Sequence, residues 1–425
     1  MNNGWAIKRN WNQHDKDKLT FGELGNTCCV FKEVEEGLLV PRAYENFSHI
    51  DPSVQLGDPL SNNPNPISLR EEQIPAVDSV IGAMSREGMG AVLFAPCGKG
   101  KTVMGLEIIR RLGRKALVLV HKTFLVDQWI ERADTFLPSL KVGIWQGDKT
   151  PSGDEDIVIG MVQSIVNPKR NYPQEMFDQF GVVVIDETHR YAAPTWQEAI
   201  GKFSASYRVG LTATPDRKDG LHDVFFSHIG PICYWMEGHK RIPSIWKITT
   251  DVSFANRSYL LYNGEVNTSK LVTMLSKVEE RTECIIDFAV RAIKKGRKVL
   301  ILSERVAHVK EMDELLKSKL SSTDFVSAIY VGGMKQAKRD EAATADVICG
   351  TYAMAQEGLD IPSLDTLILA TPKTSITQSV GRILRDSPDK KDPVVVDFVD
   401  DKISVLNSYW YARRKLYLNL GYKFV

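Results

Sequence analysis

The sequence predicts an α/β protein of two tandem lobes, each a parallel sheet with crossover helices, behind a small β-rich N-terminal domain. Three observations carry this. From about Leu69 onward, short aliphatic and β-branched runs alternate with longer amphipathic stretches, the pattern of strand, crossover helix, strand. The short runs are nearly unbroken apolar, which suits strands covered on both faces. The alternation occurs twice, and 425 residues exceed what one ordinary core holds.

Residues 1–66 form the N-terminal accessory domain, a candidate for DNA binding. CCVFKEVEEGLLV alternates, and the polar LSNNPNPIS reads as a linker. The first lobe, 67–246, offers strands at 91–94 (AVLF), 116–120 (ALVLV), 157–161 (IVIGM), 182–186 (VVVID) and 208–214 (RVGLTAT). The second, 247–425, offers 298–303 (KVLILS), 325–331 (FVSAIYV), 346–350 (DVICG), 366–370 (TLILA) and 394–398 (VVVDF). The mixed stretch from Ile232 to Asp251, with Pro231 and Pro243, is taken as the passage between lobes. FFSHIGPICYW (225–235) supplies either core aromatics or a platform for an exposed base. KKGRK (294–298) reads as a solvated turn. YWYARRKLYLNLGY (409–422) reads as a helix on the second lobe with Arg413 and Arg414 at its rim.

Composition narrows the function classes. No apolar run approaches a membrane span, and the N-terminus lacks the apolar core of a secretion signal, so the expected place is the cytoplasm, which the family resemblance given below narrows to that of a prokaryote or a phage-infected host. Six cysteines without CxxC spacing read as free thiols. Lys plus Arg total 54 against 53 Asp plus Glu, so a surface for a polyanion must be local.

The stretch APCGKGKT places glycines and lysines between an apolar strand and a helix. Such a turn aims successive backbone N–H groups at one concavity, and the helix adds its positive end. Pro96, Cys97, Gly98, Lys99, Gly100, Lys101, Thr102 and Val103 therefore form a candidate phosphate cradle. Lys101 would reach the β- and γ-phosphates of ATP and Thr102 would ligate Mg²⁺. Ala95 stands where the usual pattern has its first glycine. Downstream, VVVIDETHR ends a strand with adjacent carboxylates, of which Asp186 is assigned to Mg²⁺ and Glu187 to the attacking water. His189 comes next, either as a solvated loop histidine or as a contact toward the other lobe.

APCGKGKT, DETH, GLTATPDRKDG, EGLDIP and QSVGRILR resemble motifs I, II, III, V and VI of the superfamily 2 helicases and translocases, across roughly residues 69–400. DETH with TATP and DRKDG is similar to the XPB-like and phage UvsW-like DNA helicases. The resemblance implies two RecA-like lobes with ATP hydrolysed between them. LREEQ resembles the family's adenine-recognition element, in which Gln73 would read the base with Arg70 in support. Arg382 and Arg385, three apart and so on one face of a short helix, would stabilise the transferring phosphoryl group, with Gln378 near the nucleotide. Glu357, Gly358 and Asp360 resemble the link from ATP to the nucleic-acid track. Thr212 and Thr214 would couple the acid box to nucleic-acid binding. His121, Thr123, Gln163, Ser164, Gly350 and Thr351 are candidate sugar–phosphate contacts at strand ends.

The function expected is that of a monomeric, ATP- and Mg²⁺-dependent DNA helicase or translocase acting on forked, branched or duplex DNA. Three alternatives stay open: an RNA helicase with the same motor, a motor subunit of a nuclease assembly, and an ATP-gated clamp.

Overall fold

A computed structural model describes residues 5–8, 11, 13–21, 28–43, 54–84, 90–188, 194–213, 222–238, 241–254, 258–334, 336–357, 359, 361–385 and 387–425. The chain divides between Gly238 and His239 into two compact units.

The first unit opens with β1 (Trp5–Lys8), β2 (Thr20–Phe21), β3 (Cys28–Cys29), β4 (Lys32–Val34) and β5 (Gly37–Pro41). These form two small antiparallel sheets, ordered β1-β5-β4 and β2-β3. They do not stand apart from the rest of the unit. Leu19, Val30, Leu38 and Val40 share a core with Val224 of the His222–Ile229 helix, and Trp5 stands edge-on to His228 at 5.0 Å. The expected linker is instead an ordered strap across the N-terminal edge of the main sheet. Asp58 N–H donates to the Gln179 carbonyl, Lys115 N–H to the Asp58 carbonyl, and Ser61 donates through N–H and hydroxyl to Asp156. The polar residues that read as linker are polar because they satisfy backbone and carboxylate groups at strand beginnings.

The main sheet of this unit uses β6 (Gly90–Phe94), β7 (Ala116–Val120), β8 (Val142–Trp145), β9 (Ile157–Met161), β10 (Val182–Asp186), β11 (Tyr207–Thr212) and β12 (Ile232–Trp235). All seven are parallel, in the order β12-β6-β11-β10-β7-β9-β8. Alternate residues serve two cores: Ala91, Leu93, Val118 and Val120 face one layer of helices, and Val92, Leu117 and Leu119 the other. Because every strand runs the same way, all seven C-terminal ends lie along one edge, where α/β proteins of this kind bind ligands.

The second unit repeats the plan with β13 (Ser244–Thr249), β14 (Val299–Ser303), β15 (Ser327–Tyr330), β16 (Val347–Thr351), β17 (Thr366–Leu369), β18 (Val394–Val399) and β19 (Lys423–Phe424). These too are parallel, in the order β15-β16-β14-β17-β18-β13-β19. The stretch expected as a passage between lobes is thus largely strand: β12 closes the first sheet and β13 lies inside the second. β12 (ICYW) is apolar but only four residues long, β13 (SIWKIT) is mixed, and both are partly exposed.

The expectation for the last helix, Ser404–Asn419, changes in one respect. Arg414 is exposed, but Arg413 is buried. Its Nε and Nη2 donate to the two Asp397 carboxylate oxygens, each at 2.8 Å, and the Tyr417 hydroxyl donates to the same carboxylate at 2.9 Å. The guanidinium locks this helix to β18. At the other end of the sheet, Arg297 and Lys298 of the basic run pair with Asp365 and Asp346. Among the described residues no helix is long and apolar enough to cross a membrane.

Candidate nucleotide site and polar strand-end edge

The phosphate loop comes after β6 and leads into the Lys101–Leu112 helix. Gly98 and Gly100 take φ values of 84° and 81°, a left-handed conformation costly for any residue with a Cβ. Ala95 is not among the left-handed residues, so the loop needs no glycine there; its N–H donates to the Thr212 carbonyl at 2.9 Å. That bond joins β6 to the end of β11 and fixes Thr212 beside the loop.

The LREEQ residues pack directly on this loop. Gln73 is buried at the start of the Ile74–Ala83 helix; its Oε1 accepts from the Arg70 N–H at 2.9 Å and its Nε2 donates to the Lys99 carbonyl at 2.8 Å. A Cβ at Gly100 would overlap the Gln73 amide. Arg70 Nη2 donates to the Gly98 carbonyl at 3.4 Å. The Lys99 ammonium is buried against Glu72 at 2.6 Å, which leaves its backbone rather than its charge to the cradle. Lys101 reaches back to the Ala95 carbonyl at 3.4 Å. Cys97, Thr102 and Val103 are half-buried around the turn, and Pro96 accepts the Lys99 N–H.

The acid pair lies two strands away. Asp186 ends β10, and β11 runs between β10 and β6. Burial first, and then the neighbouring Glu187 charge, push the Asp186 carboxyl up to about 6, against the opposing pull of Trp129 and Lys101. The indole Nε1 of buried Trp129 donates to Oδ2 at 3.0 Å and the Glu187 N–H to Oδ1 at 2.9 Å. Glu187 itself has φ 51°, a strained value for a side-chain-bearing residue. Thr188 donates to the Ile185 and Leu211 carbonyls and ties this corner to β11. The donor set fits Mg²⁺: a hydroxyl at the helix start and a carboxylate whose orientation two N–H donors fix.

The other half of the same edge carries the candidate sugar–phosphate contacts of this unit, and the structure brings them together. β7, β9 and β8 are neighbours. Past their ends, Gln163 Nε2 donates to the His121 carbonyl at 3.0 Å, Gln146 Nε2 to the Thr123 hydroxyl at 3.0 Å, and the Gly147 N–H to the Ser164 hydroxyl at 2.9 Å. Thr123 and Gln163 are exposed.

In the second unit, Gly350 and Thr351 close β16 and are buried; the Thr351 hydroxyl accepts from the Met354 N–H at 3.4 Å. The helix that was to carry the arginines ends earlier than expected, at Thr377–Gly381, which contains Gln378. Arg382 caps it, and the chain continues in tight turns in which Arg382, Ile383 and Leu384 N–H groups donate three residues back. Arg382 and Arg385 are both half-buried, the latter just past these turns. Arg382 Nη1 donates to the Leu359 carbonyl at 2.8 Å, within EGLDIP. Glu357 is the last residue of the Tyr352–Glu357 helix. His189, Thr214, Gly358 and Asp360 lie outside the described residues.

The family description "Helicase conserved C-terminal domain" matches residues 280–387, and "Type III restriction enzyme, res subunit" matches 66–217. A protein of Acanthamoeba polyphaga mimivirus, named "Putative ATP-dependent RNA helicase L396", is 35% identical over 364 residues, covering 81% of this chain and 69% of the relative. The chain belongs to the superfamily 2 helicases. A similarly named protein of African swine fever virus, QP509L, is 27% identical over 373 residues, covering 76% of this chain and 67% of its own length. Among solved structures, yeast Dbp5 bound to RNA and ADP BeF3 aligns with a TM-score of 0.56 over 84% of this chain and 94% of Dbp5, at 12% identity, which speaks for the fold. The enzyme is accordingly a nucleic-acid-dependent ATPase.

Sequence reasoning missed several residues of this helicase's site. Trp129 lies within HKTFLVDQW, and its signal was an indole N–H on a helix that needs a buried acceptor. Glu72 and Gln146 carried no signal beyond polarity. Of FFSHIGPICYW, Phe225 is core, whereas Trp235 is 57% exposed and stacks on Phe94 at 4.0 Å, at the mouth of the phosphate loop.

Proposed function

We propose that this helicase acts on DNA, hydrolysing ATP between its two lobes to translocate along and remodel forked or branched duplexes, in the manner of the XPB-like and UvsW-like group. The observation that carries the DNA reading is DETH followed by GLTATPDRKDG, in the region that the restriction-enzyme subunit description also matches. In this reading, backbone N–H groups of residues 98–102 and the Lys101 ammonium hold the β- and γ-phosphates, while Gln73 and Arg70 brace the loop and face the adenine. Thr102 and Asp186 hold Mg²⁺, whose chemistry when bound is charge neutralisation at the phosphate oxygens. Glu187 orients and deprotonates the water. Gln378, Arg382 and Arg385 arrive from the second lobe and compensate charge spreading over the transferring phosphoryl group, which makes turnover depend on closure. His189, Thr212, Thr214, Glu357, Gly358 and Asp360 relay that closure to the grip on the strand. His121, Thr123, Gln163, Ser164, Gly350 and Thr351 contact sugar and phosphate without regard to sequence. The enzyme works as a monomer in the cytoplasm.

RNA unwinding by the same motor is the second reading, favoured by the printed names of the mimivirus and swine fever virus relatives. ATPase and strand-displacement rates on single-stranded, duplex, forked and four-way DNA and on matched RNA, at one salt concentration, separate the two. Greatest stimulation by forked or four-way DNA is the expected result. Stimulation by RNA alone overturns the DNA reading.

A further inference from the structure

The second unit needs an exposed surface for nucleic acid, and the strand-end residues Gly350 and Thr351 are buried. Beside that edge the structure carries one the sequence motifs do not mark. The Thr268–Leu275 helix buries Leu271, Val272 and Leu275, the first and last in a core with Ile403 and Leu406, and turns its other face outward. On that face an open cavity of about 560 Å³ is lined by Asn267, Ser269, Lys270, Thr273, Met274 and Lys277. Lys270 and Lys277 are exposed, and among the described residues neither ammonium has an ion pair or hydrogen bond.

A third cation closes the cavity's flank. Arg305 lies two residues past β14; its Nε donates to the Thr273 hydroxyl at 2.9 Å and its Nη2 to the Ser269 carbonyl and hydroxyl at 2.7 and 3.0 Å. Its hydrogen-bond acceptors are all hydroxyls and carbonyls, so no carboxylate offsets its charge at these contacts. Through Arg305 the helix is anchored just past the C-terminal end of β14, where Ser303 stands in register with Thr351 of β16. The cavity therefore combines two lysines, two hydroxyls, an amide and a thioether, with no acidic residue in its lining, and Arg305 adds a third cation bonded to both of its hydroxyl-bearing residues. That is the chemistry of a surface for a chain of phosphates: fixed positive charge and small donors, with nothing shaped to read a base. Lys270 sits in the first turn of the helix and Lys277 two residues past its end, so the two ammonium groups come from opposite ends of the same surface.

We propose that the outer face of the Thr268–Leu275 helix, with Lys270, Lys277 and Arg305, binds the phosphodiester backbone and supplies the second lobe's exposed grip on nucleic acid. This rests on the helicase reading and adds to it a site outside the conserved motifs. The test uses the full chain and titrates a fluorescent single strand and a duplex across a salt series, comparing the wild type with the double variant Lys270→Ala, Lys277→Ala. Lys415→Ala, at an exposed position on the last helix, serves as the control. Two lost phosphate contacts should lower the slope of log affinity against log salt by about 1.4 on the single strand and about 1.8 on the duplex, equally across sequences. The control should keep the wild-type slope, and all three proteins should share one melting temperature. A wild-type slope in the double variant overturns the proposal and leaves the helicase reading standing. A slope lowered equally by the control overturns it as well, because the loss is then one of net charge. Failure of the wild type to bind any nucleic acid defeats the helicase reading itself.

Discussion

Gln73 offers a sharp test of how the site is built, because the structure gives its amide two tasks at once. One N–H of its amide goes to the Lys99 carbonyl and one lone pair to the Arg70 N–H, which leaves one donor and one acceptor, the pair an adenine edge requires. If the amide only read adenine, its loss would weaken ATP and spare any ligand without the base. The bond to Lys99 predicts otherwise. A neutral hydrogen bond contributes about 0.5–1.5 kcal/mol, so losing this brace should weaken phosphate binding by about 2- to 12-fold whatever the base. Gln73→Met tests the effect, since it removes the bond donated to Lys99 without placing a negative charge beside the phosphate loop, where a carboxylate would repel phosphate on its own account. Binding of ATP, GTP and inorganic tripolyphosphate, measured by calorimetry, should weaken for all three, with an additional loss for ATP alone. Unchanged tripolyphosphate affinity beside a weakened ATP would refute the bracing role.

Three further predictions concern the catalytic corner and the two cores. Lys101→Ala and Glu187→Gln should each lower turnover by about 10²-fold or more, Glu187→Gln retaining ATP binding; normal steady-state hydrolysis by either would remove its assigned role. Asp397→Asn leaves the buried Arg413 charge without its carboxylate, which costs about 3–5 kcal/mol and should lower the second unit's melting temperature by about 10 °C. Adding Arg413→Met should recover part of that loss in the same calorimetric scan. Burial holds His228 down at about 3, so below pH 6.5 the unfolded chain takes up a proton that the folded chain refuses. Stability from this group is whole above pH 6.5 and declines as pH falls toward 3, by about 2 kcal/mol at pH 5. His228→Leu should flatten urea stability between pH 7.5 and 5, and an unchanged pH dependence would count against it.

The strands that were legible are those whose environment is uniform. β7, β9 and β10 span the residues expected of them, because helices cover them on both faces and their runs are almost wholly apolar. β8, β13 and β19 were missed for the converse reason: each is partly exposed and no unbroken apolar run announces it, whereas β12 is apolar but only four residues long and partly exposed. The same division governs the site. Residues held by local backbone geometry, such as Gly98, Gly100 and the Asp186–Glu187 corner, leave a signature within a few positions. Residues held by a distant partner do not. Nothing near Lys99 points to Glu72, and nothing near Arg413 points to Asp397, sixteen residues before it across a turn of the fold. A lysine or arginine in sequence is a charge without an address, and burial supplies it.

One helix shows why the two halves of the first sheet's edge belong to a single machine. Thr123, among the polar residues past β7, is the first residue of the Thr123–Phe136 helix, and Trp129 less than two turns later donates to Asp186. The indole packs so tightly that a Cβ on Gly105, in the helix after the phosphate loop, would come within 2.8 Å of it. A helix of this length is stiff. Asp186 therefore cannot shift relative to Thr123 without breaking the indole hydrogen bond or carrying the helix with it, and the tight contact at Gly105 opposes the second course. Thr123 opens that helix and Trp129 stands at its middle, so the acid corner and the strand-end hydroxyl are held by one rigid element.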